Sequence, residues 1–135
     1  MQGVSIIGTG VCIPEKVASN EDYMKIVETS DEWITTRTGI KTRHISDGSP
    51  AYLMSVKSAE QAIADAGLTA ADIDLIIHTS VTPDYVSPSM SCVMQGLIGA
   101  VNAACIDINC ACAAFVYALD MARRYLAMDD MKHIL

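Results

Sequence analysis

The chain has 135 residues, 51% hydrophobic and 19% charged, with a formal net charge of −7 at pH 7. That length suits one domain with a sizeable core, and the acidic balance argues against a general nucleic-acid binder. No run of about 18 apolar residues is present to form a membrane helix, and the first apolar run lacks the basic lead of a signal peptide.

Few charges in so apolar a chain favour a buried, helix-covered sheet or a piece of a larger assembly. Cys12, Cys92, Cys105, Cys110 and Cys112 form an odd set without Cys-x-x-Cys spacing or a nearby His pair. That pattern predicts no metal site, and free thiols in a reducing cytoplasm.

In chain order, Val4–Gly10 reads as a strand ending in a glycine turn. The Gly8-x-Gly10 pair invites a dinucleotide-binding reading. The third fingerprint glycine falls at Ile13, however, and Pro14 stands where a helix would run. Asn20 is a candidate cap for a short helix with Tyr23, Ile26 and Val27 on one side. Ser30-Asp31-Glu32 opens a second helix, which Gly39 stops. Trp33 in that helix has two readings, a core aromatic or, with Arg37 one turn on, a flat cationic platform for a ligand.

Residues 51–66 have helical spacing, with Gly67 as a stop. Residues 74–79 read as a strand buried on both faces, and His78 near its end reads first as a core or edge histidine. Ser87-Pro88 looks like a helix start, followed by Met90, Val93, Met94, Leu97 and Ile98 on one face and stopped by Gly99. Residues 104–108 are the next strand. A helix is expected from about Cys112 to Met128, with Phe115, Leu119, Ala122 and Leu126 facing the core. His133-Ile134-Leu135 looks like the start of a further strand. This alternation predicts an α/β layer with a mainly parallel sheet.

Cys112 falls where the strand turns into the last helix, between Ala111 and Ala113. Small neighbours let a turn tighten and a substrate approach, and a helix N-terminus stabilises a thiolate. Cys110 so near to it is either inert packing or a partner for oxidation.

Four segments together resemble one family: Ile6-Ile7-Gly8-Thr9-Gly10 with Pro14; Thr29-Ser30-Asp31-Glu32-Trp33-Ile34 through Arg37-Thr38-Gly39-Ile40 and Arg43-His44; Thr82-Pro83-Asp84-Tyr85 with Pro88-Ser89; and Ala111-Cys112-Ala113 with Phe115. They look like β-ketoacyl-acyl-carrier-protein synthase III, the initiating condensing enzyme of type II fatty-acid synthesis. The resemblance implies the N-terminal half of a thiolase-like fold, residues 1–135 as one half-domain, truncated at the start of its fourth strand. It places the strand from His133 beside the first strand, and implies a fragment that is unstable as a lone monomer.

The resemblance further implies that Cys112 attacks an acyl-CoA and carries the acyl group, and that malonyl-acyl-carrier protein then condenses with it. Trp33 would stack on the CoA adenine, with Thr29 and Arg37 near the nucleotide. Ser87 would line the acyl pocket of the partner in a homodimer. No cofactor is implied, acyl-CoA being a substrate. The family's catalytic His and Asn lie in the other half, so none of His44, His78 and His133 takes that role. Ala114 departs from the family's usual Gly. The alternative is a catalytically silent, structural or partner-binding piece.

Overall fold

The computed structural model describes residues 3–128 and 130–135. The chain divides into two compact units, one of Met1–Cys12 with Pro50–Leu135 and one of Ile13–Ser49.

The larger unit is built on a parallel sheet, as expected. We number all elements in chain order, so its strands are β3 (Leu75–Thr79) and β4 (Ala104–Ile108). They pair in parallel from Leu75 opposite Ala104 to Thr79 opposite Ile108. Leu75 and Ile76 are almost fully buried, which fits a continuous apolar run in a sheet covered on both faces. The His133–Leu135 segment does join the sheet. Ile134 bridges Leu75 in parallel, and Leu135 N donates to Leu75 O at 2.9 Å. Its neighbour is thus β3, and no ladder joins it to Val4–Gly10 among the described residues.

Helices α3 (Ala51–Asp65) and α4 (Met90–Ile98) accompany this sheet. Ile63, Ile73, Ile76, Ala100 and Ala103 form its buried cluster. Both helices are started by a carboxylate from elsewhere in the unit. Pro50 offers α3 no side-chain cap, and Asp84 accepts from the backbone N–H of Ala51 and Tyr52 at 3.1 and 2.9 Å. Asp107 on β4 accepts from Met90 N and Ser91 N at 2.6 and 2.8 Å. The expected start of α4 at Ser87-Pro88 is corrected by this contact. Ser89 is the cap and the helix begins at Met90, because Asp107 takes up the first free N–H groups there.

Val4–Gly10 is not a strand. Its backbone runs against α3, with Thr9 N donating to Asp65 Oδ2 at 2.9 Å and Val11 N to Gln61 Oε1 at 3.0 Å. Gly10 is required for this approach, since a Cβ there would collide with Ser58 O and Ala62 N. The glycine pair is therefore a packing device against a helix, not a phosphate turn.

Helix α5 runs Ala114–Tyr125, shorter at both ends than the spacing predicted. Its expected core face is open: Phe115 is 65% and Leu119 43% exposed. Leu119, Ala122 and Leu126 line a groove of about 540 Å³ with Ile6, Ile134 and Leu135. The expected core face is thus corrected: Ala114 is the buried residue of α5, with Ala118, Met121 and Tyr125 half-buried at helical spacing from it, and no element among the described residues covers Phe115.

The smaller unit has an antiparallel pair that periodicity did not reveal, β1 (Val17–Ser19) with β2 (Thr42–His44). Three residues per strand are too few to show alternation. Helix α1 (Asn20–Met24) is capped by Ser19 rather than Asn20, through a reciprocal pair with Asp22. Ile26 and Val27 lie beyond its end and are exposed. Helix α2 (Asp31–Thr38) follows the expected signals, with Ser30 as cap and Gly39 left-handed at φ 71°.

Between β4 and α5 the chain makes a tight turn through a 3₁₀ segment, Ala111–Ala113. Ala111 carries φ 47°, the one left-handed non-glycine residue among those described. A Cβ in that region costs roughly 1–2 kcal/mol, against about 0.4–1 kcal/mol of added chain entropy for glycine. Ala111→Gly is expected to raise stability by about 0.5–1 kcal/mol, read as a higher denaturant midpoint, and Ala111→Val to lower it.

Asp74 accepts from the backbone N–H of His133 and Lys132, and these bonds hold its carboxyl below the usual carboxylate range. A depressed folded value means the tether is complete above the ordinary pKa and is lost as pH falls through the lower one. Amide exchange at His133 should therefore accelerate below about pH 3.9 beyond its intrinsic trend. In Asp74→Asn that acid step should vanish.

Candidate functional site

Helix α2 presents the first group of predicted residues. Ser30 Oγ accepts from Trp33 N at 3.0 Å, so the cap sets the turn that carries the indole. Asp31 and Glu32 in the first turn and Arg37 in the last turn complement the helix dipole. Trp33 and Arg37, one turn apart, meet: the guanidinium carbon lies 4.6 Å from the ring centroid. Trp33 is nonetheless 53% exposed. The core-aromatic reading therefore fails, and a cation-bearing aromatic surface remains. Thr29 is half-buried in the segment just before the cap.

Behind this surface lies a polar residue that sequence reasoning assigned the wrong role. Asn20 is fully buried. Its Nδ2 donates to Asp31 Oδ1 at 2.6 Å and to Ile40 O at 2.9 Å, with Thr35 Oγ1 at 3.4 Å. Its Oδ1 accepts from Arg43 Nη1 at 2.8 Å. The Arg43 guanidinium in turn lies 4.4 Å from the Tyr23 ring centroid. The available signal was Ser19 with Asp22 three residues on, a reciprocal capping pair that leaves the Asn20 side chain free for another role.

Cys112 lies in the larger unit, exposed in the 3₁₀ turn ahead of α5. The turn is closed by Ala113 N donating to Cys110 O at 3.1 Å, with Asn109 Oδ1 accepting from Ala111 N at 3.4 Å. Ala114 is buried in ordinary right-handed geometry, so its methyl is accommodated, and the strain sits at Ala111 instead. A thiol here is exposed in the turn that leads directly into a 12-residue helix.

The other thiols differ among themselves in exposure. Cys110 and Cys92 are exposed, whereas burial, with the Cys92 thiol beside it, pushes the Cys105 thiol up to about 11. Cys105 is therefore protonated near neutral pH. No cluster of three metal-ligating side chains occurs among the described residues.

Ser87 lies exposed on the loop between β3 and α4. That loop is held by Asp84 at α3 and by Tyr85, whose ring stacks on Tyr52 with centroids 6.1 Å apart. His44 Nδ1 lies 2.6 Å from Pro14 O and His133 Nδ1 2.9 Å from Asp72 O. His78 stands opposite Asp107 in the ladder. Trp33, Arg37 and Thr29 thus belong to the smaller unit, and Cys112 and Ser87 to the larger.

No family model matches the chain. Known proteins do. The β-ketoacyl-[acyl-carrier-protein] synthase III of Clostridium acetobutylicum is 47% identical over 132 residues, which covers 98% of this chain and 41% of that protein. The crystal structure of 3-oxoacyl-[acyl-carrier-protein] synthase III from Aquifex aeolicus superposes with a TM-score of 0.94 at 42% identity, covering 98% of this chain and 43% of that one. The priming β-ketosynthase of the R1128 polyketide pathway gives 0.92 at 31% identity, covering 96% of this chain and 39% of its own. The chain spans about two-fifths of the length of these relatives. In sequence and in fold it is homologous to the N-terminal portion of the thiolase-like β-ketoacyl-[acyl-carrier-protein] synthase III family.

Proposed function

We propose that this chain supplies the acyl-carrying cysteine and the CoA platform of an initiating condensing enzyme of type II fatty-acid synthesis. The observation that carries this reading is the exposure of Cys112 on the strained turn between β4 and α5. The Cys112 thiolate attacks the thioester carbon of an acyl-CoA, a tetrahedral oxyanion forms, and its collapse expels CoA as a thiolate. The acyl group is then held as a thioester on Sγ. The α5 dipole favours the attacking thiolate, and the Cys112 N–H is one donor to the oxyanion.

In the second step malonyl-acyl-carrier protein loses CO₂. Its carbanion attacks the acyl-cysteine carbonyl, and Cys112 leaves as a thiolate. The resemblance assigns this step to a His and an Asn outside the matched segments. This chain alone is therefore expected to acylate without completing the condensation. No cofactor takes part; acyl-CoA is a substrate.

Trp33 offers a ring face to the adenine, and Arg37 beside it a guanidinium to the neighbouring phosphates. Thr29 sits at the entry to the same helix. Ser87, small and on an exposed loop, lines the acyl pocket across a homodimer and leaves room for longer or branched primers. Action in the cytoplasm on soluble acyl carriers fits the free thiols.

A second reading is a catalytically silent partner-binding piece. The open apolar surface of Phe115, Val116 and Tyr117 around α5 favours it.

Incubation with acetyl-CoA separates the two. The first reading expects an acetyl adduct in the intact mass that Cys112→Ser abolishes. No adduct on the wild-type chain favours the silent piece. For the platform, Trp33→Ala is expected to weaken CoA binding about tenfold, since stacking and cation–π contacts each contribute about 0.5–1.5 kcal/mol. Isothermal titration with CoA gives the number.

A further inference from the structure

An eight-residue helix does not hold itself in water, and α2 buries one apolar side chain, Ile34. Asn20 anchors it from a neighbouring element. The Asn20 amide donates to Asp31 at the first position of α2 and to Ile40 O just beyond its C-terminal glycine. One side chain thus ties down both ends of the helix that carries Trp33 and Arg37. Its Oδ1 is engaged by Arg43 of β2, which the Tyr23 ring of α1 supports from below. Three elements of the smaller unit converge on this one amide. Apart from the weak Thr35 contact, each partner needs a different feature of Asn: two N–H donors for Asp31 and Ile40 and an acceptor for Arg43.

We infer that Asn20 is a positioning residue for nucleotide recognition, setting where the Trp33 ring and the Arg37 guanidinium stand without itself touching the ligand. This rests on the reading of Trp33 as a base platform and adds to it the residue that orients that platform. Loss of the amide lets the two ends of α2 shift, and a stacked base tolerates little misplacement.

Trp33 is the single tryptophan of the chain, so its emission reports on this helix alone. Titration of wild type and Asn20→Ala with adenosine bisphosphate, the nucleotide end of CoA, gives binding from Trp33 quenching. Acylation of Cys112 by S-acetyl-N-acetylcysteamine, a thioester with no nucleotide, is measured in parallel. The expected result is a loss of nucleotide affinity of about tenfold or more, with nucleotide-free acylation unchanged within about twofold.

Equal nucleotide binding by the two proteins overturns the inference and leaves the platform intact. Absence of quenching in wild type overturns the platform itself and the inference with it. A parallel fall of both readouts also overturns it, because the role would then be general folding. Should Asn20→Ala fail to fold, Asp31→Ala decides. It releases one tied end of α2 and keeps the Asn20 bonds to Ile40 O and Arg43. A loss of nucleotide affinity of about threefold or more, with nucleotide-free acylation unchanged within about twofold, is expected. A folded Asp31→Ala variant that loses less than about threefold, or that loses both readouts together, overturns the inference.

Discussion

The parallel pairing of β3 with β4 brings the C-terminal ends of two strands, Thr79 and Ile108, side by side. Parallel sheets offer their ligand sites at that edge, where chains leave the sheet and helices begin. Here the two departing segments carry Ser87 and Cys112. The same ladder carries Asp107 into place, one residue before the end of β4, where its carboxylate starts α4. Strand register, helix start and loop exit are thus set by one set of backbone bonds. A slip by one residue would turn Asp107 to the opposite face and leave the first N–H groups of α4 without their acceptor.

The smaller unit works by other means. Asn20 and Ile34 are its buried residues among those described. So small an apolar core leaves orientation to polar bonds, which are directional where apolar packing is not. Every bond of the Asn20 amide is made, so it fixes one arrangement rather than several.

Much of the larger unit was legible from its sequence, and the reasons differ by element. Continuous apolar runs announced β3 and β4, and glycine stops at Gly67 and Gly99 announced helix ends, because both signals are local. Helix starts were less readable. Ser87-Pro88 carried the right residue types, yet Asp107, 17 residues from Met90 in sequence, decided where α4 begins. Asn20 looked like a cap from its type alone, and only the fold shows its amide turned to Asp31, Ile40 and Arg43. Of the candidate site, Cys112 and the Trp33–Arg37 pair were visible as types at a spacing. The left-handed Ala111 was not, because no residue type there demands it.

Asp84 has a consequence for how the Ser87 loop can vary. Its carboxylate is tied to the start of α3, Tyr85 is stacked on Tyr52, and Ser89 is tied to the start of α4. Between these anchors lie Val86, Ser87 and Pro88. Bulk or length added there leaves both helix starts untouched. The fold thus isolates a short stretch whose side chains are free to diverge while the Cys112 turn and the sheet stay as they are.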